Sequence, residues 1–211
     1  NRRLRLRRQI FVQAEAGCHQ AILQNGRILL PCLCLDQVRI FYAAQETVPA
    51  QVLCLPKGSG PRHGVFSPDG AWFYLLSETS NQLFSYQVRG TQLRLRQVDG
   101  LCVDSEADGP QSAEVRISPD GLHLYLSIRR TSSLAVFRLE AHLPVMQQQI
   151  PSEGRDPWDI LLTPNGRYLL VSCCSANRLF CHPLDESGNI LPSVSQAKIP
   201  SCVGCALSPD I

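Results

Sequence analysis

Charged residues make up only 18% of the 211 positions, and no apolar run approaches the roughly 18 consecutive residues that a bilayer-crossing helix needs. A membrane span is therefore excluded from the reading. The first residues carry charge but no following apolar stretch and no small-residue cleavage site, so they do not read as a signal peptide. Helical spacing of apolar residues is absent throughout. There is no glycine-rich phosphate loop, so no nucleotide cofactor is implied. Cys32, Cys34, Cys173 and Cys174 lack the spacing of a zinc site, and no metal is expected. With 44% hydrophobic residues, the composition is that of a globular protein and not a disordered one.

What is present is unevenly placed. The net charge is +2, yet five arginines fall within residues 1–8, and the rest of the chain holds 15 basic against 18 acidic residues. The body is mildly acidic, which argues against nucleic acid as a partner. The alternation Arg3-Leu4-Arg5-Leu6-Arg7 reads as an outer strand with one wet face, or else as an electrostatic arm. Ten cysteines are many, but several lie inside strand-like runs such as Leu30–Leu35, where free cysteine serves as a small buried hydrophobe. A reducing, cytoplasmic location fits that usage better than a disulfide scaffold.

The informative feature is a repeat. Gln24-Asn25-Gly26, Ser67-Pro68-Asp69-Gly70, Ser118-Pro119-Asp120-Gly121 and Thr163-Pro164-Asn165-Gly166 place turn glycines 44, 51 and 45 residues apart, and Ser208-Pro209-Asp210 begins another. Proline presets one turn angle and glycine supplies the positive one. Each turn joins two β-rich runs, a third run follows a short polar gap, and a less regular fourth closes the unit, as in residues 92–100. Four strands in about 45 residues make the blade of a β-propeller. A β-sandwich has strands of similar length but no need of one four-run unit repeated four times. The expectation is a single all-β propeller domain over 1–211, covering about four and a half blades. The blades fall near 17–59, 60–110, 111–153 and 154–200; 201–211 starts the next, and 1–16 ends a preceding one. Unclosed edges are a liability, so the natural protein is expected to be longer at both ends.

Strand parity then sorts the loops. The innermost strand of each blade runs toward the recurring turn, so the gap between the second and third strands lies at the opposite face, together with the link between blades. At that face the sequence places Gly17-Cys18-His19, Asp36, Arg62, His63, Glu78, Glu114, Arg116, Arg129, Arg130, Arg155, Asp156, Trp158, Asn177 and Arg178. A polar, mostly cationic ring around a channel mouth suits a small anionic ligand.

Gly17-Cys18-His19-Gln20, Gly60-Pro61-Arg62-His63, Ser77-Glu78-Thr79-Ser80-Asn81 and the run Ala113–Gly121 (AEVRISPDG) resemble the bacterial propeller-type 6-phosphogluconolactonases, relatives of fungal carboxymuconate cyclases. The likeness runs from about residue 17 onward. It implies a seven-bladed ring, no cofactor, a small anionic sugar-lactone substrate, and a monomer or weak homo-oligomer. It also implies a catalytic cluster of His19, Arg62, Glu78 and Arg129. His63, Glu114, Arg116 and Arg155 are expected to bind substrate, although His63, at the start of its strand, could instead be structural, and Glu114 and Arg116, which share a strand face, could bridge blades. The chain departs from its relatives at Pro157-Trp158, where Pro-Arg is usual, and at Cys32-Leu33-Cys34, where Asp-Leu-Gly is common.

Hydrolysis of a sugar δ-lactone needs a base for the attacking water and positive charge at the developing oxyanion. Glu78 or His19 would be the base, with Arg62 and Arg129 holding the oxyanion or the phosphate. A lactone-forming cycloisomerase would use the same arginines to grip carboxylates. A non-catalytic binding propeller would instead show an exposed apolar patch at a rim. Cys18 beside His19 invites a nucleophile reading, which the opposite facing of strand neighbours argues against.

Overall fold

The structure, a computed structural model, describes residues 9, 11–42, 48–101 and 112–207. The arginine-rich segment 1–8, Cys102 and the turn at 208–210 lie outside the described residues. The described chain forms four antiparallel four-stranded sheets, each a meander in chain order. The first holds β1 (Ile22–Gln24), β2 (Arg27–Cys32), β3 (Gln37–Phe41) and β4 (Gln51–Cys54). The second holds β5 (Pro61–Phe66), β6 (Trp72–Ser77), β7 (Gln82–Arg89) and β8 (Gln92–Gly100). The third holds β9 (Ser112–Ile117), β10 (His123–Ile128), β11 (Ser133–Glu140) and β12 (Leu143–Pro151). The fourth holds β13 (Pro157–Leu162), β14 (Tyr168–Cys173), β15 (Arg178–Pro183) and β16 (Ser195–Lys198). The innermost strands lie side by side, β5 against β9 and β9 against β13. Residues 11–16 form no strand. No helix among the described residues is long and apolar enough to cross a membrane.

Blades are held by cores between sheets, and strand alternation feeds two cores from one strand. In β6, Phe73 and Leu75 join Ile22, Leu29, Val38 and Ile40 of the first sheet. Trp72, Tyr74 and Leu76 of the same strand join Val115, Leu124, Leu126 and Ile128 of the third. Tyr125, between those β10 residues, packs with Ile160, Leu169 and Val171 of the fourth sheet. This explains why β6 and β10 are rich in apolar residues at successive positions and are buried along their whole length.

The recurring turns are built alike. The Ser67 backbone carbonyl accepts from Gly70 N–H at 2.8 Å, and its hydroxyl accepts from Trp72 N–H at 2.9 Å. The Asp69 carboxylate accepts the Ser67 hydroxyl proton and Ala71 N–H. Ser118 with Asp120, and Thr163 with Asn165, repeat the pattern. Gly70, Gly121 and Gly166 supply the positive φ, at 69°, 74° and 67°.

A second device links each blade to the next. Asp36, Asn81, Ser132 and Asn177 end the loops after the second strands in the left-handed region, with φ of 49° to 53°. Asp36 accepts Gly60 N–H at 2.8 Å, Asn81 accepts Ser112 N–H at 3.0 Å, and Asn177 accepts Ser201 N–H at 2.8 Å. Ser132 reaches Asp156 N–H at 3.4 Å. The link also joins the fourth blade to residues 201–207. There Cys205 N–H donates to Asp159 at 2.8 Å, matching Gly64 N–H on Gln20 at 2.7 Å between the first two blades.

Candidate active site

Three inner strands slip register at the same step. Pro61 pairs with Ser77 and His63 with Leu76, leaving Arg62 as the extra residue of a bulge. The third blade leaves Ala113 and the fourth leaves Trp158 in that place. In the first blade an isolated bridge between Cys18 and Cys32 puts His19 at the corresponding step. A bulge bends the strand and re-aims the extra side chain. Gly60 makes this entry possible in the second blade: its φ is 62°, and a Cβ there would lie 2.2 Å from Thr79 Oγ1.

Four of the sequence-derived residues meet at this level. Glu78 Oε2 lies 2.6 Å from Arg62 Nε, and Glu78 Oε1 lies 2.7 Å from Arg129 NH2. The first contact is an ion pair without hydrogen-bond alignment. Arg62 is 4% exposed and donates from NH1 to the carbonyl of Ala113 in the next blade. Burial pulls the Arg62 pKa down, with Glu78 opposing. His19 is exposed beside them, its ring centroid 6.3 Å from that of His63. Desolvation, followed by the charge of Arg62, lowers the His19 pKa. Its ring makes no hydrogen bond among the described residues. Glu78, Arg129, Arg130, Asp156 and Trp158 line a cavity of about 320 Å³.

A second tier runs across the blades just below. His63 Nδ1 contacts Glu114, a carboxylate that is 2% exposed. Arg116 NH2 stands 3.6 Å from Glu114 and 3.3 Å from Asp159, and Arg116 Nε donates to the Ile160 carbonyl at 2.9 Å. Burial raises the Asp159 pKa. His63, Glu114 and Arg116 thus form one chain of polar contacts from the second blade to the fourth. Arg155 is exposed and forms no ion pair among the described residues.

The mouth is less cationic than its residue roll suggests, because Arg62, Arg116 and Arg129 each face a carboxylate. Asp36 and Asn177 serve as interblade clamps. Cys18 turns its thiol to Cys32, with Sγ atoms 3.6 Å apart, and burial together with that contact pushes the Cys32 pKa up to about 12. Asp159 escaped the sequence reading altogether. Aligning Asp156-Pro157-Trp158-Asp159 with Gly60-Pro61-Arg62-His63 would have placed it opposite His63. Trp158, placed at that face by the sequence but given no role there, stands over the site: Arg129 Cζ is 4.6 Å and Arg62 Cζ 5.8 Å from its ring centroid.

The model of a family described as "Lactonase, 7-bladed beta-propeller" matches residues 11–207. The chain belongs to that family. Among curated relatives of this lactonase-family chain is a 6-phosphogluconolactonase of Photorhabdus laumondii, 30% identical over 191 residues, or 83% of this chain and 56% of that protein. A 6-phosphogluconolactonase of Bacillus subtilis is 28% identical, covering 69% of this chain and 44% of the relative. A periplasmic gluconolactonase of Pseudomonas aeruginosa superposes with a TM-score of 0.80 at 26% identity, over 87% of this chain and 55% of its own. The chain spans about half the length of the curated relatives it matches.

Proposed function

We propose that the protein carrying this chain hydrolyses 6-phosphogluconolactone to 6-phosphogluconate, a step of the pentose phosphate pathway. The observation that carries the reading is one carboxylate, Glu78, ion-paired to two guanidiniums beside a histidine ring that makes no hydrogen bond among the described residues. Lactonase relatives supply the reaction class.

The geometry divides the roles. Both Glu78 oxygens face arginines, so Glu78 is best placed to aim them. His19 is the group left to act as base, and its lowered pKa keeps the ring neutral at neutral pH. In this scheme His19 takes a proton from water as the oxygen attacks the lactone carbonyl. Arg129, nearer the cavity, meets the oxyanion, while buried Arg62 holds Glu78 in place. Collapse of the tetrahedral species breaks the ring C–O bond, and the leaving oxygen receives the proton from His19. His63, Glu114, Arg116 and Arg155 would then orient the substrate or its supports.

The test is the rate of ring opening of freshly prepared 6-phosphogluconolactone by full-length protein, corrected for spontaneous hydrolysis. Unphosphorylated glucono-δ-lactone serves as the comparison substrate. Acceleration of the phosphorylated lactone supports the reading. A rate equal to buffer for that substrate removes it.

A further inference from the structure

The bulge that presents Arg62 in the second blade presents an indole in the fourth, and the two meet. Trp158 belongs to none of the three interblade cores, so filling space in them is not its role. It is partly exposed, lines the cavity, and has both guanidiniums within the range at which an aromatic face attracts a cation. Arg129 needs such support. Among the described residues it has one ion pair, through NH2, and its buried Nε has no hydrogen-bond partner. Two like charges share one carboxylate here, and a third guanidinium at the Trp158 position would have added to their repulsion. The indole supplies attraction for both without a charge of its own.

We propose that Trp158 is a positioning residue for the lactonase reaction: its ring, in the same cavity wall as Glu78, holds the guanidinium of Arg129, and to a lesser degree that of Arg62, in the orientation the oxyanion requires. This rests on the reading given under Proposed function. Because Trp158 acts through the arginines on the transition state, its loss lowers kcat more than it raises KM.

The experiment compares Trp158→Phe and Trp158→Leu in full-length protein, each checked for an unchanged thermal midpoint. Phenylalanine keeps an aromatic face, and leucine keeps apolar bulk without one. The expected result is a kcat loss of roughly tenfold for leucine, the factor one such contact is worth, and of about threefold or less for phenylalanine. Equal rates in the two variants overturn the proposal. A second arm needs no turnover. Emission assigned to Trp158, by subtracting the spectrum of Trp158→Phe, is titrated with inorganic phosphate. A saturable change that Arg129→Leu abolishes supports the assignment. Emission indifferent to both phosphate and Arg129→Leu overturns it. If wild-type protein opens no lactone, the activity reading fails by itself and the phosphate arm decides the role of Trp158.

Discussion

Glu78 reaches across a blade boundary to Arg129, 2.7 Å away, while its other oxygen holds Arg62 within its own blade. The same carboxylate therefore fastens two blades and aims two guanidiniums. A substitution there has a structural and a chemical effect, and the two are separable by measuring both stability and rate.

Glu78→Gln keeps the shape and removes the charge. Arg62 is then buried without a counter-ion, a loss that typically costs about 3 kcal/mol. Urea unfolding of the variant is expected to show a drop of that order. At temperatures where the variant stays folded, kcat/KM is expected to fall by a further factor of roughly 100, as when an oxyanion donor is lost. A stability drop with an unchanged rate would leave Glu78 a fastener only.

The His19 pKa is lowered, chiefly by desolvation and then by Arg62, so its neutral form persists below 6.5. As the base it must be neutral. The rate as kcat/KM is therefore expected to rise with pH along an acid limb centred below 6.5 and to be flat above it. His19→Asn is expected to remove the limb along with most of the activity. A limb centred above the ordinary histidine value of about 6.5 would point to another group.

The interblade clamps give a stability prediction independent of chemistry. Asn81 is buried, and its carbonyl accepts both the N–H and the hydroxyl of Ser112 at 3.0 Å. Asn81→Ala orphans a buried N–H and leaves alanine in the left-handed region, at a cost of roughly 2–3 kcal/mol. Asn177 makes the matching bond while exposed, so Asn177→Ala is expected to cost under about 1 kcal/mol beyond its backbone strain. Chemical denaturation of the two variants side by side checks the contrast.

The blades were legible because two local signals coincide. Pro-Asp-Gly turns fix where the inner hairpins fold, and Trp72–Ser77 and His123–Ile128 are buried on both faces because cores lie on both sides. The site was legible only in part. Parity brought His19, Arg62, Glu78 and Arg129 to one face, since loop side follows from counting strands. It carried no information on pairing between blades. The meeting of Arg116 with Asp159 joins residues 43 positions apart, through contacts that no repeat signal encodes. Simple alternation also sends Arg62 and His63 to opposite faces, whereas the bulge at Arg62 breaks the alternation. Trp158 was placed at the mouth but given no catalytic or binding role, because an indole at an arginine position reads as a loss until its stacking on Arg129 is seen.

The most direct test of the account is a crystal structure of the full-length protein with 6-phosphogluconate bound. The product carboxylate is predicted to sit in the cavity lined by Glu78, Arg129 and Trp158, within hydrogen-bond reach of Arg129 and with His19 alongside. Product bound at the opposite face, among the turns of Asp69, Asp120 and Asn165, would contradict it.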